Sequence, residues 1–302
     1  MIIMMRAMRP ARGPLVLLGA LALSACGTGT GAADSSEGSG RLQVVAAFYP
    51  LEFVASRVAG DRAEVSGLTP PGAEPHDLEL SPQALAGLGE ADLLVVLGGF
   101  QPALDDALTT TGAPVVDLVE LADRPYENGG TDPHFWTDPT LVAEAAGVVA
   151  DALSEADPAG AETYAANADA LVAELDELDA EAEAAFASCE ITTLVTAHDA
   201  FGYFADRYGF DVRPINGISP DQEPDARTQA ELADFVLDSG ITTVYTETLV
   251  STAVADTVAA EAGVDVAVLD PVEGLTDASA GEDYRQVMRA NIDAVRSGQA
   301  CS

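Results

Sequence analysis

Three histidines stand in this 302-residue chain, His76, His134 and His198, and each sits in a stretch crowded with Pro, Asp and Glu: PPGAEPHDLELSP, TDPHFWTDP and TAHDAFGY. No amphipathic face explains any of them. Imidazole with carboxylate is a zinc-binding combination, because Zn2+ takes neutral imidazole at ~2.0–2.1 Å and carboxylate oxygen at ~2.0–2.2 Å in a tetrahedron. Three His and one acid would close such a site. The histidines are 58 and 64 residues apart, a spacing without local signature. A single one of them reads as a solvated loop residue as readily as a ligand, and for the three together the metal and loop readings both stand open.

The elements that must position them can be read from hydrophobic pattern. From Leu42 onward, apolar runs of strand length alternate with helical stretches: QVVAAF, AEVSGL, DLLVVLG and APVVDL, then TTLVTA, FDVRPI, TTVYT and VDVAVL. Continuous apolar strands separated by helices predict an α/β fold whose parallel sheets are covered on both faces. In open parallel sheets ligands sit beyond the carboxyl ends of the strands, where the loops converge. The chemically interesting residues fall there: His76 after AEVSGL, His198 after TTLVTA, Glu247 after TTVYT and Asp270 after VDVAVL. His134 lies ahead of a helix that Asp138 can cap, with Pro139 at its first position.

Between the two sets of strands, residues 159 to about 187 hold no Pro, and no Gly after Gly160. Tyr164, Ala168, Leu171, Leu175, Leu178, Ala182 and Ala185 fall on one stripe at spacings of four and three. One helix of about 40 Å is predicted, at ~1.5 Å per residue. Its other faces carry Glu174, Asp176, Glu177, Asp179, Glu181 and Glu183. A stripe rich in Ala and only about three heptads long argues against a coiled-coil dimer and for a helix bridging two lobes. The pattern Tyr284, Val287, Met288, Asn291, Ile292, Val295 predicts a closing amphipathic helix.

The first 25 residues run from Arg6, Arg9 and Arg12 into an apolar segment, residues 15–23, that is short for a mature membrane helix and reads as a secretion signal. It ends in Leu23-Ser24-Ala25-Cys26, which resembles the bacterial lipobox, where cleavage exposes a lipidated Cys. Residues 27–40 are mostly Gly, Ser and Thr and read as a flexible tether. Export into an oxidising compartment leaves Cys189 and Cys301 as an even pair, so a disulfide between them is predicted. Fifty acids against 13 Arg, with no Lys, give a net charge of −37. Loss of residues 1–25 removes three Arg and no acid, taking 13 Arg to 10 and the charge to −40. Such a surface excludes sequence-independent nucleic-acid binding and docking on anionic lipid through a basic face. With 48% apolar residues the chain still buries a sizeable core.

The blocks PGAEPHDLELSP, DPHFWTDP, TAHDAFGYFADRYGF, YTETLVS and LDPVEGLTD resemble those of the zinc/manganese-binding solute receptors of bacterial ABC transporters, of the ZnuA type, over residues 42 to about 297. That resemblance implies two lobes, each a small parallel β-sheet flanked by helices, joined by one long bridging helix, with the metal site in the inter-lobe cleft. It divides the chain into a lipoprotein signal peptide (1–25), a flexible tether (26–41), an N-terminal lobe (42–158), a bridging helix (159–188) and a C-terminal lobe (189–302). It implies His76, His134 and His198 as ligands. Manganese-selective members usually carry Glu at the third position, so His198 points to zinc, in line with the preference of imidazole for zinc over manganese. The fourth ligand comes from LDPVEGLTD: Glu273 is favoured, two residues after the Pro of that turn, with Asp270 as runner-up and Asp277 matching the position used by manganese members. Glu247 reads as a supporting or inter-lobe group, and Asp199 and Asp138 as acids that could orient an imidazole through its other nitrogen. Residues 121–133 contain no His, so the His-rich loop of many zinc receptors is missing.

The function implied is an extracytoplasmic, monomeric zinc receptor, held to the membrane only through lipid at Cys26, that hands Zn2+ to an ABC permease driven by a separate ATPase. It would not be an enzyme and would bind no nucleic acid. A manganese receptor of the same family is the alternative. A zinc hydrolase needs an open coordination position and a general base, which a fourth protein ligand argues against, and the chain has no P-loop or GxSxG elbow. In an adhesin or structural lipoprotein the histidines would be incidental.

Overall fold

A computed structural model describes residues 41–126, 130–221 and 224–302. The predicted secretion signal, the lipobox Cys26 and the tether up to residue 40 lie outside the described residues.

Each of the eight apolar runs supplies one strand. The first half is β1 (Leu42–Ala46), α1 (Tyr49–Ala59), β2 (Ala63–Gly67), α2 (Pro82–Glu90), β3 (Leu93–Val96), α3 (Pro102–Leu108) and β4 (Val115–Asp117). Its strands form one parallel sheet in the order β2-β1-β3-β4, with Val44 opposite Val65 on one side and Leu93 on the other. β3 is buried at all four positions, as expected of a central strand covered on both faces. Two long helices follow, α4 (Pro139–Ala156) and α5 (Ala161–Ala185). The second half is β5 (Thr193–Thr196), α6 (Gly202–Tyr208), β6 (Asp211–Pro214), α7 (Ala226–Asp238), β7 (Thr243–Thr246), α8 (Ala253–Ala262), β8 (Asp265–Val268) and α9 (Tyr284–Gly298). Its parallel sheet, β6-β5-β7-β8, repeats the strand order of the first.

Helix ends follow local chemistry. Asp138, Asp225 and Asp283 cap α4, α7 and α9 by accepting the backbone N–H of Thr140, Thr228 and Gln286. The predicted start of the long helix at 159 moves to Ala161, because Pro158–Gly160 wind as a 3-10 turn in which a Cβ on Gly160 would meet Arg62 and Asp157. The predicted stripe of α5 faces inward against α1, α4 and α9, so it is covered within the chain. Leu171, Leu175 and Leu178 are fully buried there, and truncating any of them to Ala costs about 2–5 kcal/mol. Asp179 departs from the expectation for the acidic face: it is buried, because the Arg207 guanidinium and the Tyr208 hydroxyl of α6 dock on its carboxylate. Glu174 of α5 pairs with Arg57 of α1 at 2.8 Å and Arg285 of α9 at 2.5 Å; these pairs are a quarter to a third exposed and stabilise little each.

One apolar cluster runs through both halves, from Val44, Phe48, Leu94 and Trp136 through Leu171 and Leu175 to Phe204, Tyr245, Tyr284 and Ile292. A smaller cluster around Val195, Val236, Val244 and Val258 lies within the second half. The predicted disulfide joins Cys189 to Cys301. Beside it the Gln299 amide donates to the carbonyls of Ile191 and Thr193, pinning the end of the chain to the start of β5. Among the described residues no helix is long and apolar enough to cross a membrane.

Candidate metal centre

Two of the three histidines are set by the same short device. In Asp132-Pro133-His134 and in Glu74-Pro75-His76, the acid two residues ahead accepts the histidine's backbone N–H at 3.0 Å, an Asx-type turn that its Pro stiffens. His198 leaves the carboxyl end of β5, where the Thr196 hydroxyl donates to its carbonyl at 2.8 Å. Glu273 sits on the turn after β8. There Asp270 Oδ1 accepts the Val272 N–H at 2.8 Å and Asp270 Oδ2 accepts the Thr248 hydroxyl at 2.8 Å. Val272 itself has φ +59°, a left-handed conformation that β-branched residues rarely adopt.

These four side chains converge. One donor atom from each of His76, His134, His198 and Glu273 lies within 4.8 Å of all the others. Glu273 Oε1 stands 3.5, 3.1 and 3.3 Å from Nε2 of His76, His134 and His198, and the first two Nε2 atoms are 3.2 Å apart. Four ligands in a zinc tetrahedron are separated by about 3.3 Å, given bonds of ~2.0–2.1 Å. Four of the six donor separations, at 3.1–3.5 Å, already match that size, and the remaining two lie within 4.8 Å. His134, His198 and Glu273 are buried, while His76 is partly exposed beneath a cavity of about 200 Å3 lined also by Phe100, Thr131, Pro133 and Ile218. Both Glu273 oxygens and His198 Nε2 are buried with no hydrogen-bond partner. Buried carboxylate oxygens left that way are costly, unless a cation meets them. A cavity of about 740 Å3 lies between Arg124 and β6 and is lined by none of these donors.

Behind the donors stands a second ring of acids. His134 Nδ1 lies 2.7 Å from Asp132 Oδ1, and His198 Nδ1 lies 2.8 Å from Glu247 Oε1. Such partners fix the tautomer, turn Nε2 toward the centre and raise its basicity. Asp132 is in turn held by Arg124 at 3.1 Å. Gly202 allows this approach, since a Cβ there would lie 2.3–2.5 Å from Arg124 and Asp132 side-chain atoms.

Charge follows geometry. Burial works to lower His198, but the carboxylates of Glu247 and Glu273 outweigh it and hold its proton well above the ordinary imidazole range. His134 is raised likewise, burial being outweighed by its bonds to Asp132 and Glu273. His76 has no such second acid, and burial lowers it. Burial would raise Glu273, yet the three imidazoles, His198 foremost, hold it well below the carboxylate range. Glu74 is pushed up to about 8 by burial and by the charge of Glu273.

The structure therefore brings together His76, His134, His198 and Glu273. Asp270 instead braces the turn, and Asp277 is exposed. Asp138 caps α4, as its place ahead of Pro139 predicted, and Asp199, the other acid that could orient an imidazole, bonds through its backbone to Gly217. Asp132 holds His134 in their place. Sequence reasoning passed over it, although an acid two residues ahead of a His, repeated at Glu74, was the available signal.

Solved structures share this fold. The Zn(II)-bound ZnuA-like domain of AdcA from Streptococcus pneumoniae superposes with a TM-score of 0.76 at 34% identity, over 86% of this chain and 99% of that one. The high-affinity zinc uptake system protein ZnuA of Bacillus subtilis is 30% identical over 91% of this chain and 93% of its own length. The zinc-binding lipoprotein AdcA of Streptococcus pneumoniae serotype 4 is 34% identical over 93% of this chain, which spans only 59% of that longer relative. The family model described as ZnuA, zinc-uptake complex component A, periplasmic, matches residues 44–298, and the chain belongs to that family.

Proposed function

We propose that this chain is a zinc receptor of an ABC importer, binding Zn2+ through His76, His134, His198 and Glu273 and delivering it to a membrane permease driven by a separate ATPase. The observation that carries the reading is the convergence of four donor atoms within 4.8 Å of one another, with the Glu273 oxygens buried and unpartnered. Three imidazoles favour zinc over manganese, which prefers oxygen ligands. Four protein ligands leave no position for an activated water, which argues against a hydrolase. The same reading divides the chain into a signal peptide (1–25), a tether (26–41) lipidated at Cys26, two lobes (42–158 and 189–302) and a bridging helix (159–188). It makes the protein a monomer on the extracytoplasmic face of the membrane. The name of the pneumococcal relative, a zinc-binding lipoprotein, supports the anchor.

Calorimetric titration with Zn2+ and Mn2+, on the unaltered protein and on His198→Ala, tests this. Tight zinc binding that His198→Ala weakens, with manganese weaker than zinc, is expected. No zinc binding, or undiminished binding in the variant, would sink the proposal.

A further inference from the structure

We propose that Trp136 is a positioning residue for metal capture: its indole N–H, donated from the first half of the chain to the Pro271 carbonyl in the second, holds the turn that presents Glu273. This rests on the four-donor reading above. Trp136 is the only Trp in the chain and is completely buried. Its Nε1 lies 2.8 Å from the Pro271 oxygen, and its own carbonyl accepts the Tyr284 hydroxyl of α9 at 2.7 Å. The ring is boxed in by Phe48, Phe100 and His134, with centroids 4.8, 5.5 and 5.2 Å away. The indole therefore has one orientation, and it spans from the His134 segment to the Glu273 turn.

That turn needs holding. Its next residue, Val272, is in the left-handed region with its N–H accepted by Asp270 Oδ1, while Asn291 clamps the backbone of Asp270 on both sides and leaves the Pro271 carbonyl to Trp136. The Glu273 carboxylate finds no hydrogen-bond donor around it apart from its close approach to the three imidazoles. Only the imidazoles meet the head of the side chain before metal arrives, so its position is set by them and by the backbone of residues 270–273. A residue at 136 that filled the same space without an N–H would leave the Pro271 carbonyl buried and unpaired, and the turn free to relax away from the histidines. Because Trp136 and His134 share one 3-10 turn region, the bond also fixes Glu273 relative to His134 rather than to its own sheet alone.

The test is a double-mutant cycle read with Zn2+ affinity and with the visible spectrum of bound Co2+, which reports coordination geometry. Trp136→Phe should weaken zinc binding by about tenfold, the loss expected for one buried hydrogen bond. It should also shift the cobalt spectrum toward that of Glu273→Gln. In the Glu273→Gln background, Trp136→Phe should change neither quantity further. An equal loss in both backgrounds would mean general packing and overturn the proposal, as would a Trp136→Phe protein with unaltered affinity and spectrum. Absence of any cobalt or zinc binding by the unaltered protein overturns the four-donor reading and this proposal with it, which separates the two failures. If Trp136→Phe does not fold by circular dichroism, Asp270→Ala, which releases the other brace on Val272, enters the same cycle with the same expected and overturning outcomes.

Discussion

Replacing Glu247 by Gln tests whether the acids behind the imidazoles act as charges. Glu247 is 4% exposed, with Oε1 2.8 Å from His198 Nδ1. Gln keeps the volume and an acceptor oxygen, so the ring keeps its orientation and only the negative charge is lost. Two effects of opposite sign follow. A neutral partner makes Nε2 a weaker electron donor to the metal, and losing an outer partner of this kind costs about 10–100-fold in affinity, or about 1.4–2.7 kcal/mol. Against that, Glu247 is the foremost group opposing burial in holding the His198 proton. Without it His198 binds its proton less tightly, and the proton competes less with zinc.

The two effects separate with pH. Zinc requires neutral His198. In the unaltered protein the affinity falls as pH drops through a His198 value raised above 6.5; in the variant that fall begins at lower pH. The deficit of Glu247→Gln is therefore greatest near about pH 8, at about 10–100-fold, and narrows toward about pH 6, near the ordinary imidazole value. Competition against a chromophoric zinc chelator at fixed ionic strength measures it. A deficit that is constant with pH, or grows toward acid, refutes the charge argument; equal affinities at the alkaline end refute any role for Glu247 in tuning the ligand.

The fourth position separates by substitution: Glu273→Gln should weaken zinc more than Glu247→Gln does, while Asp277→Ala, at an exposed site, should leave zinc titrations unchanged. Cys301→Ser opens a bridge between residues 112 apart, which should cost about 2–5 kcal/mol in denaturant melts. Zinc affinity should survive it, because the bridge lies at the opposite end of β5 from His198. Zinc binding should release about two protons near pH 6 and fewer as pH rises, measured by calorimetry in buffers of different ionisation enthalpy; release that is absent at pH 6 would contradict raised values for both His134 and His198.

How much of this could be read in advance depends on how far apart the cooperating residues lie. All eight strands were legible because each lies in a short local stretch rich in apolar residues, continuous in β3 (LLVV) and broken by polar residues in β2 (AEVSG) and β6 (DVRP). The three histidines were legible as loop residues at strand ends, and the resemblance to known receptors selected Glu273 among three acids in one short turn. What the sequence hid were pairings made by folding. Asp179 sits among acids on a helix face and looks solvated until Arg207 and Tyr208, on another helix, arrive against it. Asp138 and Asp199 were as plausible as Asp132 for orienting an imidazole, since each lies near a His in sequence. Asp132 holds His134 while also meeting Arg124, eight residues earlier, beside the antiparallel bridge between Pro125 and Thr131. The role of Trp136 left no local signal, because its indole partner is 135 residues away.

These pairings give the net charge of the sequence a local meaning. A net charge of −37 attracts cations without choosing among them, whereas the buried centre sets opposite charges against one another. Asp132 and Glu273 face His134 there, Glu247 and Glu273 face His198, and Arg124 pairs with Asp132. In the metal-free protein these carboxylates hold the protons of His134 and His198 above the ordinary imidazole range, while burial lowers His76. A divalent cation that displaces those two protons brings the same charge to the centre. The sign for stability follows. Below about pH 6.5, the unfolded imidazole value, both raised histidines stabilise the metal-free fold fully, and that contribution is lost as pH rises through their folded values. Zinc binding strengthens over the same range, so the stabilisation by zinc grows with pH as the protons it must displace leave.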